Sequence, residues 1–165
     1  MGNDKDQSKS YRKAFWIAVI MTIGAWLLPF GELAIYPFSL FATWAHEMGH
    51  GLTALLVGDS FDKLEVFGNL SGLAHTASPG PLSQGLVAAG GLIGPPILGA
   101  LVVAVGPRIR FARAILYALG GVLLLSVMLW VRNPFGVIAL SLLAIGAGAV
   151  AWRFGAWRCF VAVQL

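Results

Sequence analysis

The sequence predicts an all-α polytopic membrane protein of about five to six transmembrane helices, with a short β-like or re-entrant loop after the second. Three observations predict it. Apolar residues make up 58% of the 165 and charged residues 11%, with a mean hydropathy of +0.82. A water-soluble domain of this size needs a charged shell that this composition cannot supply. The apolar residues fall in runs near the roughly 20 that cross the hydrocarbon region. The basic residues gather beside those runs, in "KSYRK", "PRIRFAR", "WVRN" and "WRFGAWR", as they do in loops flanking membrane helices. The net charge of +4 is therefore not a nucleic-acid footprint, and the expected surroundings are a lipid bilayer with no nucleic-acid partner.

Residues 1–13 form a polar, basic amino-terminal segment, and residues 14–165 read as one transmembrane domain. The first apolar run, Ala14 to Phe30, is long, rich in bulky residues and without a small-residue cleavage site, so it reads as a retained span rather than a signal peptide. The second runs from Leu33 to Val57. Pro37 removes one helical hydrogen bond and favours a kink or a fresh start there, and Gly58 ends the helix. Asp59 to Pro81 is the one long polar connection, and pieces such as "KLEVF" suggest a hairpin or re-entrant loop. The third run, Leu82 to Val105, carries Gly90 and Gly94 at the spacing that lets another helix approach closely, and Pro95-Pro96 predicts a break. Ala114 to Val131 and Phe135 to Trp152 follow, joined by a turn at Asn133-Pro134. The run from Phe154 to Leu165 stops within a half-span, which reads as a truncated carboxyl terminus. Cys159 stands alone and says nothing about redox compartment. Most tryptophans fall near predicted span ends, as interfacial anchors do, while Trp44 beside the motif could shape a cleft.

One stretch of the second run, "WAHEMGHGLTALL", places His46, Glu47 and His50 within one and a half turns of helix. Ionisable groups at membrane depth are costly and read as functional. His46 and His50 are four apart, so their imidazoles share a helix face at the spacing one zinc ion needs. Glu47 lies beside them, where it can take a proton from a zinc-activated water. With three histidines in the chain, this HExxH pattern arises by chance on the order of once in a thousand such sequences. His50 sits roughly 10 Å from the helix end, inside the membrane. Two histidines leave a catalytic zinc site incomplete, so a third ligand must come from elsewhere.

This pattern, with "HEMGHGLTALLVG", "SGLAH", "AAGGLIGPPILGAL" and "WVRNPFG", resembles the compact bacterial branch of the site-2-protease class of intramembrane zinc metallopeptidases. The resemblance spans roughly Trp44 to Gly136, and only "HEMGH" is specific. It implies Zn2+ held by His46 and His50, Glu47 as general base, a transmembrane protein as substrate, and a place in a bacterial inner membrane. Many members take a third ligand from an aspartate in an Asn-Pro-Asp-Gly-like stretch. Here "RNPFG" offers Asn133 and no carboxylate, and no Asp or Glu follows Glu65. The third ligand then lies past residue 165, or Asn133 or a loop residue substitutes, or the chain binds metal poorly.

His75 is a second accessory candidate, weighed against a solvated loop histidine. Glu32, Asp59, Asp62 and Glu65 read as surface charges, Asp59 being the best placed of them. A protease of this kind must unwind its substrate helix. "KLEVFGNLSG", with Val66, Gly68 and Asn69, is the candidate strand edge for the substrate backbone. The competing functions are a non-proteolytic membrane binding or scaffold protein with a relic metal site, and a metal transporter. A transporter needs further polar residues on other spans, and almost none are present. Substrate identity, membrane orientation and oligomeric state do not follow from the sequence.

Overall fold

The computed structural model describes residues 31–105 and 111–153 continuously, together with scattered helical positions between 12 and 27. The expected first span and the terminal run from Phe154 lie largely or wholly outside the described residues. Within them the order is α1 (Gly31–Leu56), β1 (Ser60–Val66), β2 (Gly72–Ala77), α2 (Pro81–Val105), α3 (Ala112–Leu129) and α4 (Pro134–Arg153). Among the described residues three helical stretches are long and apolar enough to cross a membrane: Pro81–Leu101, Ala112–Leu129 and Pro134–Arg153. The expected five to six spans are thus matched at three. α1 is long enough at 26 residues but is not among the three, because its histidines, glutamates and small polar residues dilute the apolar stripe.

The helix in α1 begins at Gly31, six residues earlier than Pro37 suggests, and runs through that proline. A single missing N–H deprives one carbonyl of its partner, which a long packed helix tolerates. Pro95 and Pro96 likewise lie inside α2 and do not break it. α1 ends as the sequence predicts. Gly58 takes the left-handed conformation with φ +85°, its N–H donates to Leu55 O, and Asp59 N–H donates to Ala54 O at 2.9 Å. That pair of bonds is a Schellman cap, and it turns the chain straight into β1. The same turn tucks Asp59 inward: its Oδ2 is buried with no hydrogen-bond partner among the described residues, where a solvated surface charge was expected.

The polar connection is an antiparallel hairpin. Val66 pairs with Gly72, Leu64 with Ala74 and Ser60 with Ala77, with an irregularity between Phe61 and Lys63. The far edge of β1 is closed by the α3–α4 connection. Leu64 N–H donates to Trp130 O at 2.9 Å, and Arg132 N–H donates to Leu64 O at 3.1 Å, a parallel bridge between Leu64 and Val131. Asn133 then extends that pairing by one residue with its side chain: Oδ1 accepts Val66 N–H at 3.1 Å and Nδ2 donates to Val66 O at 2.6 Å. Pro134 begins α4, where its lacking N–H costs nothing, and Val137 N–H returns to Asn133 O. The expected turn at Asn133-Pro134 is present.

The core lies where these pieces meet. Leu40, Trp44, Ala45 and Met48 of α1 pack with Phe61, Leu64 and Val66 of β1, Leu123 of α3, Val131, and Leu140 and Ala144 of α4. Phe61 stacks on Trp130 with ring centroids 4.9 Å apart. Trp44 is 3% exposed, and its Nε1–H donates to Ser126 Oγ at 2.9 Å. It is a core tie between α1 and α3, neither interfacial anchor nor cleft wall. On the other side of α1, Gly49 faces Gly90 and Gly94 of α2; a Cβ on Gly94 would stand 3.1 Å from Gly49 Cα. This is the close helix approach that the glycine spacing predicts.

Asn133 satisfies both outward backbone groups of a residue that is 0% exposed. Replacing it with Ala leaves a buried N–H and C=O unpaired, at about 1–3 kcal/mol each. The expected result is a loss of roughly 2–6 kcal/mol in reversible unfolding of the purified protein in detergent, and Asn133→Asp, which keeps only the acceptor, is expected to fall short of wild type as well.

Candidate metal centre

The site is built on one face of α1. His46 and His50 are one turn apart, and their Nε2 atoms stand 3.1 Å from each other, with the rings edge to face at 4.7 Å between centroids. Two ligands at about 2.0–2.1 Å from one tetrahedral zinc are separated by roughly 3.3 Å. The donor set therefore fits two corners of such a site. His50 Nδ1 lies 2.8 Å from the carbonyl oxygen of Val87 on α2. A carbonyl can only accept, so Nδ1 carries the proton and the Nε2 lone pair faces His46. This is how a backbone acceptor fixes the ligating tautomer of a histidine.

Glu47 is buried at 8% exposure. It lies on the hairpin side of α1, and its Oε2 accepts the N–H of Ala74 at 2.8 Å. That bond is possible because of the strand register. Leu64 and Val66 direct their N–H and C=O groups away from β2, towards Trp130, Arg132 and Asn133. Their antiparallel partners Ala74 and Gly72 must then direct theirs to the opposite, outer edge of the hairpin. The outer edge of β2 thus runs past the Glu47 carboxylate.

The hairpin turn is anchored to the same helix. Tyr36 Oη–H donates to Gly68 O at 2.8 Å, and Thr43 Oγ1–H to Leu70 O at 2.9 Å. Leu70 adopts a positive φ of 66°, a conformation unfavourable for a branched side chain. Asn69 Oδ1 accepts both the N–H and the Oγ–H of Ser71.

Of the residues singled out in the sequence, the structure brings together His46 and His50, with Glu47 on the hairpin side of the same helix against Ala74. It separates the others. Asn133 does not face the histidines, since both atoms of its carboxamide are used by Val66. His75 alternates with Ala74 and so projects from the opposite face of β2; its Nε2 lies 2.8 Å from Glu65 Oε2. Val66 is a buried residue of an inner edge, while Gly68 and Asn69 form the turn. Sequence reasoning missed Ala74, Val87 and Ser126, because they act through a backbone amide, a backbone carbonyl and a hydroxyl with no spacing signature. Among the described residues no group of three His, Cys, Asp or Glu side chains converges.

Outside the apolar spans, His75 with Lys63 holds Glu65 below its ordinary pKa of 4.5: the His75 hydrogen bond is the main cause, partly offset by desolvation, with Lys63 adding to it. A carboxylate lowered on folding stabilises above its ordinary range, and that contribution is lost as pH falls through the lowered value. His75→Ala is expected to move the Glu65 titration up towards 4.5, read by carboxyl NMR.

The family model described as Peptidase M50B-like matches residues 16–165. No curated protein and no solved structure matches the chain. The matched region contains the histidine pair, the hairpin that holds Glu47 and all three apolar helices, and with it the site-2-protease-like resemblance of "HEMGH" acquires the rest of the chain: this protein belongs to the Peptidase M50B-like family.

Proposed function

We propose that this chain is an intramembrane zinc metallopeptidase that hydrolyses peptide bonds of membrane-embedded protein substrates. The observation that carries the reading is the convergence of His46 Nε2 and His50 Nε2 at 3.1 Å, with the second ring keyed by Val87 O and the buried Glu47 carboxylate held by the hairpin on the same helix. A relic has no reason to keep the tautomer anchor and the glutamate together. A transporter would need polar groups continuing along other helices, and α2, α3 and α4 carry no acidic residue.

His46 and His50 would hold the metal through Nε2. A zinc ion bound there supplies Lewis acidity towards the scissile carbonyl and makes water acidic enough to attack near neutral pH. Glu47 then takes the proton of the attacking water at Oε2, once that oxygen has left the Ala74 N–H, and passes it to the leaving nitrogen. Burial keeps bulk water from that carboxylate, which strengthens each polar contact within the site.

A substrate must present an extended backbone, because a helical peptide bond is covered by its own hydrogen bonds. The edge for it is that of β2 at Gly72 and Ala74, in place of the β1 edge that Val66 occupies with Asn133. A substrate strand adding there takes the Ala74 N–H with its own carbonyl, and in doing so releases Oε2 of Glu47 beside the bond to be cut. Docking and freeing of the base are then one event.

The test pairs metal content with cleavage of a model transmembrane substrate in detergent or liposomes. His46→Ala is expected to lose zinc and activity together. Glu47→Gln is expected to keep zinc and lose roughly 10²–10⁴-fold in rate, the usual size of general-base catalysis. Glu47→Gln cutting as well as wild type would remove the proton acceptor from the mechanism, and zinc retained in full by His46→Ala would remove the metal centre.

A further inference from the structure

We propose that Gly72 and Gly91, which lie outside the HExxH motif and on different elements, are positioning residues that seat Glu47 and His50 by having no side chain. The inference deepens the peptidase reading and rests on it for its catalytic meaning, but the seats themselves are features of the fold.

Gly91 is buried on α2. In an α-helix the carbonyl of residue 87 already accepts the N–H of residue 91, and the side chain at 91 ordinarily stands over that turn. With no Cβ there, the second lone pair of Val87 O is open, and the His50 ring enters to donate from Nδ1 at 2.8 Å. A Cβ on Gly91 would fall within the ring itself, against Cε1 and Nε2. Nε2 is the atom that faces His46. A single methyl group at 91 therefore evicts the ring from its anchor and turns the ligating nitrogen away.

Gly72 does the same for the carboxylate. It is the β2 residue two before Ala74, so both positions share a strand face and both outward backbone groups share an edge. A Cβ there would stand 2.5 Å from Glu47 Cγ and 2.9 Å from Oε1. Those distances are too short for any carbon, and the neighbouring atoms belong to the reacting group. With a methyl at 72, Glu47 must rotate away, and the Ala74 N–H loses its 2.8 Å acceptor. Gly85 and Gly99 of α2 provide the contrast, since a Cβ at either meets nothing within 4 Å.

The decisive readouts need neither metal nor turnover. Imidazole ¹⁵N shifts report the His50 tautomer, and hydrogen exchange reports the Ala74 amide. In the full-length protein Gly91→Ala is expected to lose the Nδ1–H tautomer of His50 while the Ala74 amide stays protected. Gly72→Ala is expected to do the reverse, and Gly85→Ala and Gly99→Ala to change neither. With Co2+ as probe, Gly91→Ala binds about 10–100-fold more weakly, the range for a lost ligand-orienting partner, whereas Gly72→Ala binds as wild type. If a variant is too unstable to study by NMR, stability cycles replace it: His50→Ala should relieve most of the loss caused by Gly91→Ala, and Glu47→Ala that of Gly72→Ala. Strictly additive losses, or a Gly91→Ala protein that keeps the His50 tautomer, would overturn the proposal. If wild type takes up no Co2+ while the tautomer and amide respond as described, the seats stand and the peptidase reading falls.

Discussion

A carboxylate buried among apolar helices needs a donor, and the Ala74 N–H that reaches Glu47 at 2.8 Å is the constraint around which this structure is arranged. An ionised group without a partner in such surroundings costs several kcal/mol. The donor comes from a strand edge because backbone amides in helices are already used. A strand within an apolar bundle brings its own difficulty, since every N–H and C=O it exposes must also be satisfied. The hairpin and its supports solve both problems together. One edge is closed by Trp130, Arg132 and the amide of Asn133, and the other meets the carboxylate.

The supports come from α1 itself as much as from its neighbours. Tyr36 and, two turns further on, the adjacent Thr43 and Trp44 of one helix donate to Gly68, Leu70 and Ser126. Each is a polar group on a large or branched side chain, so each bond is accompanied by packing. Thr43 also holds the carbonyl of Leu70, whose positive φ would be unfavourable on its own; strain of this kind persists where surrounding contacts over-determine the backbone. The turn in question lies just before Gly72, so the force that holds it reaches the carboxylate within two residues.

Much of this was legible in the sequence, and the reasons divide cleanly. The approach of His46 to His50 was legible because helix geometry turns a spacing of four into a shared face. The Gly58 cap, the hairpin, the glycine approach of α1 and α2 and the Asn133-Pro134 turn were found because each rests on local backbone chemistry. The prolines misled. Pro37, Pro95 and Pro96 lie within continuous helices, because tertiary packing outweighs the loss of single hydrogen bonds. The role of Asn133 was missed for a different reason. A carboxamide that stands in for a strand residue leaves no periodic trace, and its partner Val66 is 67 residues away in the chain. His75 lies on the strand face opposite Gly72 and Ala74, 2.8 Å from Glu65 Oε2, because adjacent strand residues face opposite ways, and which face it takes depends on a register that the sequence does not display.

The unequal treatment of the two hairpin edges follows from what each must do. An exposed edge in an apolar bundle invites any extended segment to add to it, so leaving one open without control is a hazard. At β1 the structure removes the hazard with main-chain pairing and a side chain that mimics it. At β2 the edge amide of Ala74 is occupied by an acceptor that can leave, because a carboxylate on a flexible stem gives up a hydrogen bond more readily than a paired strand does. The same hydrogen bond that satisfies Glu47 in the resting protein also keeps the Ala74 edge from being vacant. Protection of the edge and storage of the carboxylate are a single interaction, and Gly72, small enough for Glu47 to lie across it, is where the two requirements meet.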